Sequence, residues 1–536
     1  NVWRKKEMTK KLTPKQIKQR YEVAQRKKDL FEDLYRDAYE FAIPQRQLYG
    51  YWEGNSTGQK KMQRVFDSTA INSTNRFANR MQSGVFPSQR MWCRLEPGNN
   101  IPFEQKAQVQ AVLDQYRNVM FSVIKQSNFD IAMGEFLLDM CVGTACMLVQ
   151  PGDDVVPITF TPVPMFLVCF EESANGQVDK IYRRLRMKAE AIQKQYPDAK
   201  FSEEMQQRIK DKPTDEIELL EATIEDSDQG DWCYHVLIKE NMEEVVYRRL
   251  KNSPWVISRY MKVAGEIYGR GPLLTALPDI KTLNKTKELL LKNATLAVMP
   301  CYTAADDGIL NPSTVRIVPG SIIPVARNGG NQGDALKPLP RAGDFNVSQL
   351  VINDMRMNIQ KILLDESLPP DNMSARSATE VVERMKELSQ NLGSAFGRLI
   401  NETMIPLVSK ILGVMDERGL IDLPLKVNGL EVRVAPISPL AMAQSMEEVN
   451  SIIQYIQLTQ PLGAEGEMAV NKSALIDFLG DKLGVPSEVR HDAAERAFMI
   501  EERAKAEQAA AMMQAQMAQQ QAQPAEQPLP PAEGMN

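Results

Sequence analysis

Two stretches decide the fold: PDIKTLNKTKELLLKNATLAV at 278–298 and DFNVSQLVINDMRMNIQKIL at 344–363. In the first, Pro278 suits an opening helical turn, where its missing N–H is no loss, and apolar residues recur at Ile280, Leu283, Leu290, Leu291, Ala294 and Val298. The helix is expected to stop before Pro300. In the second, Asp344 reads as an N-cap and Val347, Leu350, Val351, Met355, Ile359, Ile362 and Leu363 form one face. Between the two, residues 301–343 hold Gly308, Pro312, Pro319, Gly320, Pro324, Gly329, Gly330, Gly333, Pro338 and Pro340. That density breaks any long helix and leaves room only for short strands, notably Thr314 to Val318 and Ile322 to Val325. Pro369 and Pro370 make a second break. Ser377 and Glu380 then form an S-x-x-E capping box opening one long helix, with a seam through Val381, Met385, Leu388, Leu392, Leu399, Met404, Leu407 and Ile411 and a kink at Pro406. This order reads as the wall of a conduit, not as a catalytic pocket.

Outward from there, Thr13 and Pro14 read as N-cap and N1 of a helix whose Ile17, Tyr21, Phe31, Leu34, Ala38 and Phe41 face inward, ending at Ile43 and Pro44. A loop is expected over 45–64 and a helix from about Ser68, with Ile71, Phe77, Ala78 and Met81 on one side and Gly84 as its stop. Two more helices fit 103–125, through Val109, Val112, Leu113, Tyr116, Val119, Met120 and Val123, and 129–147, through Ile131, Phe136 and Met140. From about Met147 to Val263 β-branched runs alternate with turns: Val155 to Thr161, Leu219 to Ile224, Tyr234 to Ile238, Glu244 to Arg249 and Val256 to Tyr260. The fold class is therefore mainly α with an inserted β-rich subdomain. Residues 487–522 are rich in Ala, Gln and Met, strong helix formers of little bulk that would pack closely beside copies of themselves, and the prolines from Pro524 onward mark a disordered tail.

The chain has 536 residues, 43% of them hydrophobic and 7% aromatic, enough for more than one core. It has no uninterrupted apolar run long enough for a membrane span, and its charged start lacks the apolar centre of a secretory signal, so a soluble intracellular origin is expected. Six scattered cysteines, Cys93, Cys141, Cys146, Cys169, Cys233 and Cys301, read as buried free thiols. The net charge of −5 conceals an asymmetry: residues 1–28 carry eleven Lys/Arg against Glu7 and Glu22, a balance of +9, leaving −14 elsewhere. That basic arm either touches nucleic acid or an acidic subunit, or is a solvated helix end.

Three motifs carry a resemblance: Asp67-Ser-Thr through Arg76-Phe-Ala to Val85-Phe-Pro87 with Met91-Trp92; Tyr268-Gly-Arg-Gly-Pro272; and Ser377-Ala-Thr-Glu380. Together they resemble the head-to-tail connecting, or portal, proteins of short-tailed bacteriophages, over about residues 14 to 500. The resemblance implies a closed ring of about twelve copies joined head to tail around a channel for double-stranded DNA. It implies a wing over 1–263, with its β-rich part from about 147. A link and first stem helix would follow over 264–298, a clip over 299–343, a second stem helix over 344–364 and a tunnel loop over 365–376. A long wing helix with return strands over 377–440, crown or barrel helices over 441–522 and a tail over 523–536 complete the order. Implied partners are the terminase packaging motor, tail adaptor proteins, and capsid and scaffolding proteins, at the capsid portal vertex of a virion assembled in the host cytoplasm.

A channel must centre a duplex without gripping it, because tight phosphate binding would stall the passage. A net negative wall with sparse basic groups meets that need. Lys281, Lys285, Glu288 and Lys292 fall on one stripe of the first stem helix and read either as a band facing DNA or as a solvated, salt-bridged face. Arg356 and Lys361 are further channel candidates. In the tunnel loop Asp365, Glu366, Pro369, Pro370, Asp371 and Arg376, and in the clip Asp306, Asp307, Arg316 and Arg327, complete the candidate set.

Enzyme chemistry finds little support. The sequence contains no G-x-x-x-x-G-K-[ST], so DNA movement would need an external ATPase. Gly329, Gly330 and Gly333 lack the flanking strand and helix of a dinucleotide site. The two histidines, His235 and His491, have no ligand partners at metal spacing, and Asp306 and Asp307 read as an acidic turn. No catalytic residue, metal or cofactor is expected. The alternatives are a structural adaptor or tail-wall protein that passes no duplex, and a metal-dependent nuclease.

Overall fold

The computed structural model describes residues 12–49, 60–226, 230–298, 302–304, 336–338, 345–365, 392–422, 431–459, 461, 470–482 and 493–521. The chain divides into two compact units, 1–441 and 442–536.

In the first unit, helix α1 (Pro14–Ala42) opens with a capping box: the Thr13 hydroxyl accepts from the Gln16 amide and the Gln16 side chain accepts from Thr13 N. Ile43 ends it ahead of Pro44. Helix α2 (Thr69–Val85) buries Ile71, Phe77, Ala78 and Met81, and runs through Gly84 to Val85. Strand β1 (Cys93–Pro97) leads to α3 (Phe103–Gln126) and α4 (Phe129–Val142). Here the expectation of a helix to 147 fails: the chain leaves α4 at Gly143, with φ of +153°, and β2 (Thr144–Pro151) begins at once. The mostly apolar stretch from Cys141 to Val149, interrupted by Gly143 and Thr144, fits either state, and the glycine decides it. Val112, Val119 and Ile131, expected inward, are exposed.

The β-rich region is two antiparallel sheets. One has the order β3-β2-β9, with β3 at Ile158–Val163 and β9 at Trp255–Arg259. The other has the order β4-β5-β6-β7-β8, with β4 Val168–Glu172, β5 Val178–Lys188, β6 Glu216–Asp226, β7 Asp231–Ile238 and β8 Glu243–Leu250. Two short helices missed in the sequence, α5 (Ala189–Gln195) and α6 (Glu203–Asp211), join β5 to β6 and cover one sheet face, where Ile192 and Met205 pack with Leu219, Val236 and Val246. Strand β5 also escaped sequence reading, because its run of Lys180, Arg183, Arg184 and Arg186 masks the alternation.

Helix α7 spans Pro272–Val298, with Pro272 rather than Pro278 at its first position. Strands β10 (Tyr302–Ala304) and β11 (Leu336–Pro338) pair antiparallel, and α8 follows (Phe345–Ile362). The expected strands at Thr314 to Val318 and Ile322 to Val325, the Asp344 cap and the Ser377/Glu380 capping box lie outside the described residues. The expected unbroken helix to Met415 is interrupted at Gly393 (φ 46°, ψ −118°), after which α9 (Ser394–Leu399), a π-turn (Ile400–Met404) and α10 (Ile405–Glu417) run on. Pro406 offers no N–H to the Glu402 carbonyl, and the widened turn just before it absorbs the fault without ending the helix. Strand β12 (Val432–Pro436) returns to pair with β1.

Four cysteines are buried free thiols, and burial pushes that of Cys169 up to about 12. His235 is buried, with Nδ1 2.7 Å from Glu244 Oε1. Helix α11 (Pro439–Thr459) leaves the first unit, and the second holds α12 (Lys472–Lys482) and α13 (Ala493–Gln521). In α13 Phe498, Met499 and Ile500 are exposed. Among the described residues no helix is long and apolar enough to cross a membrane.

Candidate nucleic-acid interface

Helices α7 and α8 pack on each other through Ile280 and Leu283 on one side and Ile352, Ile359 and Leu363 on the other, all buried in the main core. The spacing 352, 359, 363 is the inward face of α8; Leu350 and Val351, expected there, point outward, Leu350 at 73% exposure. Leu289 and Leu291 on α7 and Met357 on α8 are also exposed. The pair thus carries exposed apolar groups that no other described element covers.

The charged stripe of α7 is largely self-neutralised. Lys281 Nζ donates to Asp37 Oδ2 on α1 at 2.6 Å. Lys292 and Lys285 both donate to Glu288, at 2.6 and 2.9 Å, and those two bonds hold the Glu288 carboxyl down at about 2. The three groups leave one net positive charge per copy. Arg356 sits within the chain's own network: its Nε and a terminal nitrogen donate to Asp67 Oδ2 at 3.2 and 2.6 Å. Against the upward push of burial, bonds from Thr69 and Arg356 keep the Asp67 carboxyl below its usual range. Lys361 is exposed at the end of α8.

Asp365 is not an exposed loop carboxylate. It is 1% exposed, accepts from Ser73 Oγ at 2.7 Å and pairs with Arg76 at 3.2 Å. Its own N–H reaches back to the Gln360 carbonyl at 2.7 Å, and the preceding Leu364 is left-handed, at φ 54°. Arg80 donates to the Leu364 carbonyl. With Asp67, Ser73 and Arg76, this makes α2 a clamp on the end of α8. Sequence reading quoted the Asp67 to Arg76 motif yet gave it no role; Asn284, which accepts from Phe66 N at 2.6 Å and donates to the Arg64 carbonyl at 2.7 Å, was missed altogether. Glu366, Pro369, Pro370, Asp371 and Arg376, and Asp306, Asp307, Arg316 and Arg327, lie outside the described residues. Asp365→Ala is expected to cost about 2–3 kcal/mol, below the figure for a fully buried broken pair because Arg76 is 55% exposed and rehydrates. The urea midpoint of the purified protein checks it, and Asp365→Asn, which still accepts from Ser73, is expected to lose less.

The basic arm is only partly free. Lys28 is buried and donates to the Phe166 carbonyl at 2.5 Å, and burial lowers its ammonium to about 8. Among the described residues no cluster of three or more His, Cys, Asp or Glu could hold a metal ion.

The profile of the bacteriophage head to tail connecting protein family matches residues 14–490, and the chain belongs to that family. It is 23% identical over 490 residues to the probable portal protein of Bordetella phage BPP-1, covering 85% of each chain. To the portal protein of Salmonella phage epsilon15 it is 23% identical over 527 residues, covering 90% of each. Among solved structures it is similar to the neck of an empty GTA particle, with a TM-score of 0.34 and 12% identity, covering 81% of this chain and 95% of that one.

Proposed function

We propose that this chain is a portal protein: a subunit of a closed ring at the capsid vertex of a virion, assembled in the host cytoplasm, through which double-stranded DNA is packaged and later ejected. The family match across residues 14–490 carries the reading. In it α7 and α8 are stem helices, β10 and β11 the base of a clip, residues 365–376 a tunnel loop and the helices after 441 a crown or barrel. The exposed Leu289, Leu291, Leu350 and Met357 would be covered by neighbouring copies. Lys285, Lys292 and Glu288 would give each copy one net positive charge toward the axis, and about a dozen such charges, each screened and exchangeable, centre a duplex without holding it. Terminase motor, tail adaptors, capsid and scaffolding proteins are the partners of such a ring, and the DNA-moving chemistry is the motor's.

Electron microscopy of the purified protein, classified by rotational symmetry, is the test. A closed ring with a duplex-wide axial channel is expected. A ring closed along its axis would favour a non-translocating adaptor, and metal-dependent cleavage of duplex DNA by the purified protein would favour a nuclease.

A further inference from the structure

Apart from the α7–α8 pair, the first unit contains a cavity of about 190 Å³ between the β-rich sheets and α10. Its floor is apolar, with Leu148 and Val414, and its rim carries the amides Gln150, Gln195 and Asn252. Of the two cations that line it, Arg248 is paired and, among the described residues, Lys410 is not. Arg248 is held by Asp198 through Nε at 2.7 Å, and the hydroxyls of Tyr196 and Tyr234 donate to Glu221 at 2.6 and 2.7 Å. Lys410 lines the same cavity from α10, half-buried. Among the described residues no carboxylate pairs with it, and burial alone, with no compensating anion, lowers its ammonium to about 8. Glu417, on the same rim, lies two helical turns further along α10, about 10 Å by helical rise, too far for a direct pair. A desolvated cation with no counter-charge is costly in a folded protein, and an arriving anion removes that cost.

We infer that this cavity is a carboxylate-binding site, in which Lys410 takes one carboxylate oxygen and the rim amides the other. The chemistry selects a monoanion. One unpaired ammonium balances one charge, whereas a phosphate dianion would bring a second charge toward Glu417 with no second unpaired cation among the residues that line the cavity. The volume suits an Asp or Glu side chain or a short free carboxylate and excludes a nucleotide. Two sources share that chemistry: a carboxylate of a neighbouring copy, which rests on the ring reading above, and a small free carboxylate, which does not.

The experiment uses the full-length assembled protein. Carbodiimide activation of its carboxylates, on rings mixed from two isotopically labelled pools, followed by peptide mass spectrometry, is expected to reveal an amide bond between Lys410 and an Asp or Glu of another copy. If that link is absent but sodium acetate slows acylation of Lys410 at least threefold relative to sodium chloride at equal ionic strength, the occupant is a free carboxylate. A link to Glu417 of the same copy, or neither cross-link nor protection, overturns the inference. Rings seen by microscopy with Lys410 unlinked and unprotected would remove the site while leaving the portal reading intact.

Discussion

Replacing Gly271 with alanine is expected to leave little or no folded protein. Gly269 and Gly271 cross the junction of α4 and β2 backbone against backbone: Gly271 N donates to the Val142 carbonyl at 2.9 Å and Gly269 N to Thr144 Oγ1 at 2.8 Å. Tyr35 OH closes the joint on the Gly269 carbonyl at 2.7 Å. A Cβ at Gly271 would lie 2.6 Å from the Val142 carbonyl carbon and closer still to the Cys141 oxygen. Backbone cannot swing aside as a side chain does, so the cost should exceed about 3 kcal/mol, the upper end of ordinary overpacking. Soluble yield and the urea midpoint measure it. Gly397→Ala is the control: a Cβ there meets nothing within 4 Å, and inside α9 it should stabilise by about 0.5–1 kcal/mol. A Gly271→Ala protein as stable as the parent would mean that the joint is looser than this packing requires.

The second large effect is expected at Arg259, which is 5% exposed and binds two carboxylates at once. Its N–H and guanidinium reach Glu402 at 2.9 Å, and another nitrogen reaches Glu172 at 3.1 Å. The carbonyls of Ile267 and Gly176 complete its shell. Arg259→Met keeps most of the bulk but removes the guanidinium from both acids, leaving Arg398 and the main-chain N–H of position 259 for Glu402 and Lys262 for Glu172. A loss of about 3–5 kcal/mol is expected. Glu402→Gln, which keeps a hydrogen-bonding oxygen and removes only the charge, should lose less, about 1–3 kcal/mol. Equal urea midpoints for Arg259→Met and the parent would show that the network is dispensable. Because Glu402 lies in the π-turn, this pair also locks the widened turn onto β9, and the two faults in the helix at Gly393 and Pro406 are held between fixed points.

What the sequence made legible was periodic. The α1 cap at Thr13, the inward faces of α1 and α2 and the strands β3, β6, β7, β8 and β9 follow from spacing and turn chemistry that local residues specify. On the inward face of α8, Met355, Ile359, Ile362 and Leu363 were read correctly, but Leu350 and Val351 were taken in place of Ile352, since all three are apolar and only packing separates them. The end of α4 was missed because Gly143 sits inside a run whose hydrophobicity suits helix and strand alike. At the candidate interface the stripe of α7 was visible by period, and the pairing of Lys285 with Glu288 was anticipated. The partners on other elements, Asp37, Asp67, Ser73 and Arg76, were not readable, because long-range pairs leave no local pattern. The three motifs did flag two of the places concerned. Two of them turn out to be joints where distant segments meet, α2 against the end of α8 and the Gly269–Gly271 turn against the end of α4.

Helix α1 has a mechanical consequence. Its first turns, through Ile17, Tyr21 and Ala24, are buried with Tyr182 and Leu220 of the large sheet, and its last, through Tyr35, Ala38 and Tyr39, in the main core. A rod of 29 residues, about 43 Å long, is thus embedded at both ends in different hydrophobic masses. Shear between those masses would have to bend a helix or pull an aromatic plug from its socket. The two masses are therefore coupled through one stiff helix.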